Sequence, residues 1–138
     1  MAKVMLTNDC FAFDVWVHDR PEFRRTVNAR SAAKAKAAYL LDLQDAWPNY
    51  KFTDLRVRKV GRPHTSEGFR RNAAYRGMPQ LECGQRVIVG DGRGVIVGHN
   101  SSANFDVLFD DDSRKYAGMT LNVHPGEIKL ESESASVN

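Results

Sequence analysis

The chain has 138 residues, 42% of them apolar and 27% charged, a balance that supports a folded core and excludes a wholly disordered protein. No apolar run approaches the ~18 residues of a spanning helix, and the opening MAKVMLTNDC lacks the apolar stretch of a secretory signal, so a cytoplasmic protein with no membrane partner is expected. The net charge of +3 divides unevenly: residues 1–80 carry 15 Lys/Arg against 8 Asp/Glu, a net of +7, whereas residues 81–138 carry 5 against 9, a net of −4. A basic half favours phosphate or an acidic protein surface as its partner.

Residues 9–19, DCFAFDVWVHD, alternate at period two. Phe11, Phe13, Val15 and Val17 fall on one side, and Ala12, Asp14, Trp16 and His18 on the other, which predicts a half-buried strand. Asp19–Glu22 reads as a turn, with Pro21 pre-setting φ. Phe23–Ala29 returns as a second strand, Phe23, Val27 and Ala29 alternating with Arg24, Thr26 and Asn28. Ser31 then caps a helix over 31–47 that is rich in Ala and Leu and stopped by Pro48. Ala33, Ala37, Leu40, Leu43 and Trp47 are expected on its buried side. The segment KFTDLRVRKV reads as a third strand, with Thr53, Leu55 and Val57 toward the helix and Phe52, Asp54, Arg56, Arg58 and Val60 away from it.

Residues 62–80 read as a basic linker, with a short helix that starts at Ser66 and ends at Gly77. From Leu81 the texture changes to short β segments divided by glycine. Strands are expected at 86–89, 94–98, 103–109, 119–123 and 127–130, followed by a polar tail over 131–138. Five short strands in about 50 residues suit a small barrel, which removes open edges by closing on itself. The fold class is therefore α+β: a β-β-α-β domain over 1–61, the basic linker, then a five-stranded barrel over 81–130.

The runs RVIVGDGRGVIVG and NFDVLFDDD and the turn HPGE resemble a small SH3-like barrel of the KOW and Tudor type, over about 50 of the 138 residues. A superfold of this kind hosts many activities and implies none by itself. A Tudor-type aromatic cage would have only Phe105, Phe109 and Tyr116 to draw on. In style the whole chain also resembles the short two-module accessory proteins of phages and prophages, through ARSAAKAKAAYLLDLQDAWPNYKFTDLRVRKVG and GMTLNVHPGEI. That resemblance implies a protein that binds host or phage machinery.

The chemistry-bearing candidates follow from these placements. One helix covers one side of the first sheet, so the other side is expected to display Trp16 and His18, Arg24, and Phe52, Arg56 and Arg58. Rings among arginines suit single-stranded nucleic acid, since bases stack and guanidinium groups take phosphates. The same face would equally accept the barrel or a second copy of the chain, so a homodimer is an open possibility. The connector adds Lys59, Arg62, Arg70 and Arg71, which would contact a phosphate backbone without reading sequence. The HNSSAN loop with His124 shows no nucleophile elbow and reads as self-satisfying turn chemistry. Asp110–Asp112 lack the glycine and terminal glutamate of a calcium loop. Cys10 and Cys83 are too few and too distant for a disulfide framework or zinc spacing. The expectation is non-enzymatic binding of nucleic acid or a nucleoprotein, with no cofactor or metal. The alternative is a phage-encoded protein inhibitor that sets these arginines against acidic residues of a host defence or replication protein.

Overall fold

The computed structural model describes residues 10–131, which divide into two compact units, 10–64 and 65–131. Asp9 of the first expected strand, and the expected tail beyond Glu131, lie outside the described residues. The architecture is mixed: two helices and two antiparallel sheets.

In the first unit, β1 (Phe11–Val17) lies between β2 (Arg20–Ala29) and β3 (Leu55–Gly61), giving the order β2-β1-β3. The alternation of β1 sends Phe13, Val15 and Val17 into a core completed by Ala29, Leu55 and the helix α1 (Ala32–Ala46). Ser31 caps α1 by accepting from the Lys34 N–H at 3.2 Å, which satisfies one of the orphan donors of a first turn.

The buried stripe of α1 differs from the expected one. Ala35 and Tyr39 are buried, with Leu40 and Leu43 packed beside them, while Ala33 and Ala37 are exposed and Trp47 keeps 49% of its surface. Alanine marks no face by itself. Tyr39 decides the rotation, because its ring fills the core and its hydroxyl donates to the Phe23 carbonyl at 2.7 Å. Burial pushes the Tyr39 phenol up from its usual value. Tyr39→Phe should lose that bond and strand the carbonyl, lowering stability by about 1 kcal/mol, as read by urea unfolding.

Two boundaries also move. The hairpin turn is His18–Asp19 rather than Asp19–Glu22, and β2 begins at Arg20. Pro21 is tolerated because β2 is an edge strand, where a missing N–H breaks no ladder. The third strand starts at Leu55, not at Lys51, because a 3₁₀ turn occupies Phe52–Asp54. The Asp54 carboxylate accepts from the Lys51 N–H at 2.8 Å and closes that turn.

The second unit begins with α2 (Glu67–Tyr75), capped by the Ser66 hydroxyl on the Phe69 N–H at 3.0 Å and ended by Gly77 at φ +71°. Five strands follow: β4 (Arg86–Val89), β5 (Gly92–His99), β6 (Phe105–Phe109), β7 (Thr120–Val123) and β8 (Ile128–Leu130), in the order β7-β6-β5-β4-β8. Their core joins Val87, Ile96, Phe105, Val107, Phe109, Val123, Ile128 and Leu130 to Phe69 and Ala73 of α2.

The expected closure into a barrel is not seen. Among the described residues no ladder joins β7 to β8, which remain the two edges. The sheet is nevertheless strongly curled. Flat, its outer strands would stand roughly 19 Å apart, four spacings of ~4.8 Å. Yet the chain passes from β7 to β8 through a single 3₁₀ turn, Pro125–Glu127, which advances only ~2 Å per residue. A register shift between Ile96 and Gly98 marks a bulge on β5, a feature that bends a strand. Across the unit, the Arg86 guanidinium is held charged by its two hydrogen bonds to the Asp110 carboxylate, Nη1 to Oδ1 at 2.6 Å and Nη2 to Oδ2, and by Glu131 at 3.1 Å.

Candidate nucleic-acid interface

The face of the first sheet turned away from α1 is set by register. Asp14 lies between Thr26 on β2 and Arg58 on β3, and Trp16 lies opposite Arg56. Cross-strand neighbours share a face, so Asp14, Trp16, Thr26, Arg56 and Arg58 are displayed together. Arg24 joins them, its guanidinium lying 4.6 Å from the centre of the Trp16 ring. Arg24, Arg56, Arg58 and His18 are exposed and Trp16 is half-buried.

These cations are not equally available. Asp14 accepts from Arg58 at 3.2 Å and from the Thr26 hydroxyl at 2.9 Å, so its charge offsets that of Arg58. The Arg56 guanidinium turns back onto the carbonyls of Thr53 (3.1 Å) and Leu55 (3.0 Å). Asp14 already stood on this face in the sequence alternation, but only the strand order places it beside Arg58.

Other expected members lie elsewhere. Phe52 belongs to the 3₁₀ turn and sits under the Lys36 ammonium of α1, 4.2 Å from its ring centre. Lys59 faces the helix side, opposite Phe13, with its ammonium 3.6 Å from the Phe11 ring centre. Arg62 is exposed just beyond β3. Arg70 and Arg71 belong to α2 of the second unit, Arg71 pairing at 3.7 Å with Glu67. Within the first unit, Phe52 and Lys59 therefore lie off the face that carries Trp16, Arg24, Arg56 and Arg58.

The structure adds two arginines that the sequence reading passed over. Arg20 lies 5.8 Å from the Phe23 ring centre, and Arg25 lies 6.0 Å from that of Tyr39. With Arg24 on Trp16, all three arginines of the run RPEFRR rest on aromatic rings. The cause is a large bulge. Between Val15 and Val17, two residues apart on β1, the partners on β2 run from Arg25 to Arg20. Pro21–Arg24 therefore swell outward opposite Trp16, and bulges of this kind re-aim side chains. The run itself is the available signal, but Arg20 falls in the turn expected over Asp19–Glu22 and Arg25 sits at a helix-facing register.

Beside the bulge is a groove of about 340 Å³, floored by Phe23, Tyr39, Leu43 and Trp47. Arg24, Arg25, Glu22 and Asp42 stand around it, Arg25 reaching Asp42 at 3.4 Å on the exposed rim.

The remaining polar candidates are engaged in turns. Asn100 Oδ1 accepts from the N–H groups of Ser102 and Asn104, both at 3.1 Å, and Arg76 donates to the carbonyls of Ser102 and Ala103. His99 packs edge-on against Phe69, while His124 Nδ1 accepts from the Gly126 N–H at 3.0 Å. Asp110 is taken by Arg86 and Asp106 by Asn122. Among the described residues no three His, Cys, Asp or Glu side chains gather as a metal site. Both cysteines are buried, and burial pushes the Cys10 thiol up to about 11, so it stays protonated at neutral pH. No described helix is long and apolar enough to cross a membrane.

No protein-family model matches the chain, and neither a characterised protein nor a solved structure does.

Proposed function

We propose that the protein is a non-enzymatic, cytoplasmic binder of single-stranded nucleic acid or of a nucleoprotein, acting through the unit of residues 10–64. One observation carries this reading: Arg20, Arg24 and Arg25 are each seated on an aromatic ring along one exposed edge strand. A ring beneath a guanidinium limits its motion, and the exposed guanidinium groups of Arg20 and Arg24 suit bidentate capture of phosphate, while Arg25 would exchange its exposed pairing with Asp42 at 3.4 Å for such a contact. The attraction to each ring, about 0.5–1 kcal/mol at exposed sites, lowers the entropy lost when a phosphate binds. Trp16 adds a ring beside Arg24 and Arg56 on which a base would stack.

The curled five-stranded sheet supports a finer reading of the second unit as an SH3-like barrel. The support is its meander order and the one-turn passage between its edge strands.

The test is binding of a dye-labelled single-stranded oligonucleotide, followed by fluorescence anisotropy. Arg24→Ala/Arg25→Ala should weaken it about tenfold or more, since charged hydrogen bonds are worth ~1.5–3 kcal/mol each. Both side chains are exposed, so the fold should tolerate the change. If the wild-type protein fails to bind at low salt, the reading is wrong, and an acidic protein partner takes its place.

A further inference from the structure

We infer that the groove between the β2 bulge and the end of α1 is a nucleobase pocket, with Trp47 as its stacking ring and Arg24 and Arg25 at its mouth as the phosphate contacts. The inference rests on the function proposed above and locates a second base site apart from Trp16. Tryptophan side chains are highly buried on average, because a buried aromatic removes so much apolar surface from water. Trp47 is not: 49% of it stays exposed at the C-cap of α1. Phe23 holds it from one side, with ring centres 6.0 Å apart and planes 30° from parallel. The same indole also lines a second hollow of about 380 Å³ with Pro48, Asn49, Tyr50 and Asp54. An aromatic ring standing between two hollows leaves area for a flat partner.

Shape and chemistry select the occupant. The groove of about 340 Å³ falls at the small end of ligand pockets. Its floor is the aromatic and aliphatic set Phe23, Tyr39, Leu43 and Trp47. The Tyr39 hydroxyl is already committed to the Phe23 carbonyl, so the floor offers stacking rather than hydrogen bonds. A strand tracking the three stacked arginines of β2 passes the mouth of this groove, and its bases would be the nearest flat apolar groups. Stacking tolerates any base, so a pocket of this kind binds without strong sequence preference.

Trp47 and Trp16 are the only two tryptophans, so Trp16→Phe leaves Trp47 as the sole indole reporter while keeping a ring under Arg24. Titrating this variant with a mixed-sequence single-stranded hexanucleotide at low salt should quench Trp47 emission as the complex forms, and an abasic strand of the same length should not. In the otherwise wild-type chain, Trp47→Ala should weaken oligonucleotide binding about tenfold, and Trp47→Phe should recover most of it. If the dye-labelled oligonucleotide binds but neither Trp47 emission nor the affinity of Trp47→Ala changes, the pocket is overturned and the binding surface stands. If no oligonucleotide binds the wild-type chain at all, both fall, and a peptide becomes the better occupant of the groove.

Discussion

Phe69→Ala should destabilise the second unit by about 3–5 kcal/mol, the range for removing a buried aromatic from a core that only partly collapses. Phe69 has no exposed surface. Its ring centre lies 5.1 Å from that of Phe105 and 5.8 Å from that of His99, so truncation opens a void among side chains from α2, β5 and β6. Small domains have ~5–15 kcal/mol in total, so a loss of this size should lower the midpoint of urea unfolding well outside error. Were α2 a solvated tether between folded parts, the same change would fall within the ±0.5 kcal/mol typical of surface sites. The neighbouring Arg70→Ala serves as control, since Arg70 is exposed on the same helix and should leave the midpoint unchanged.

Gly94→Ala should cost about 3 kcal/mol or more, at or above the upper end for overpacking. A Cβ at Gly94 would collide with the Leu108 carbonyl oxygen and stand 2.9 Å from the Phe109 Cα. Both obstacles are backbone, so no rotamer change relieves them. Gly94 pairs with Phe109 across the β5–β6 ladder, and moving one strand off the other would disturb the register that buries Val107 and Phe109. At Gly92 the obstacle is instead the buried Phe109 ring, 2.7 Å away, a side chain rather than backbone, so Gly92→Ala should cost less. Thermal unfolding of the two variants side by side checks the order. Equal stabilities would show that the close approach of β5 and β6 is not what these glycines provide.

The parts legible in the sequence were those fixed by local rules. Period-two alternation placed β1 and its two faces, Ser31 and Pro48 bounded α1, and glycine punctuation marked the second sheet. What escaped depended on tertiary packing. Alanine-rich α1 gave no apolar stripe sharp enough to fix its rotation, and Tyr39 settled that only by finding the Phe23 carbonyl. Gly92 falls in the gap between the strands expected at 86–89 and 94–98, yet it opens β5, where it lies against the Phe109 ring. The candidate surface divided in the same way. Trp16, Arg24, Arg56 and Arg58 shared a face as alternation implied. Phe52 did not, because a 3₁₀ turn precedes β3, and Lys59, expected as part of the connector, lies on the helix side that the Leu55–Val57 alternation implies. The stacked positions of Arg20 and Arg25 follow from a bulge, for which a single sequence carries no marker beyond the run RPEFRR.

The measurement closest to the central claim is the salt dependence of single-stranded oligonucleotide binding, with and without the three stacked arginines. Each phosphate contact to a single strand contributes ~0.7 to the slope of log K against log salt. If Arg20, Arg24 and Arg25 each hold a phosphate, Arg20→Ala/Arg24→Ala/Arg25→Ala should bind more weakly and with a slope shallower by about 2. A triple variant that binds with the wild-type slope would place the phosphates elsewhere on the molecule and contradict the account.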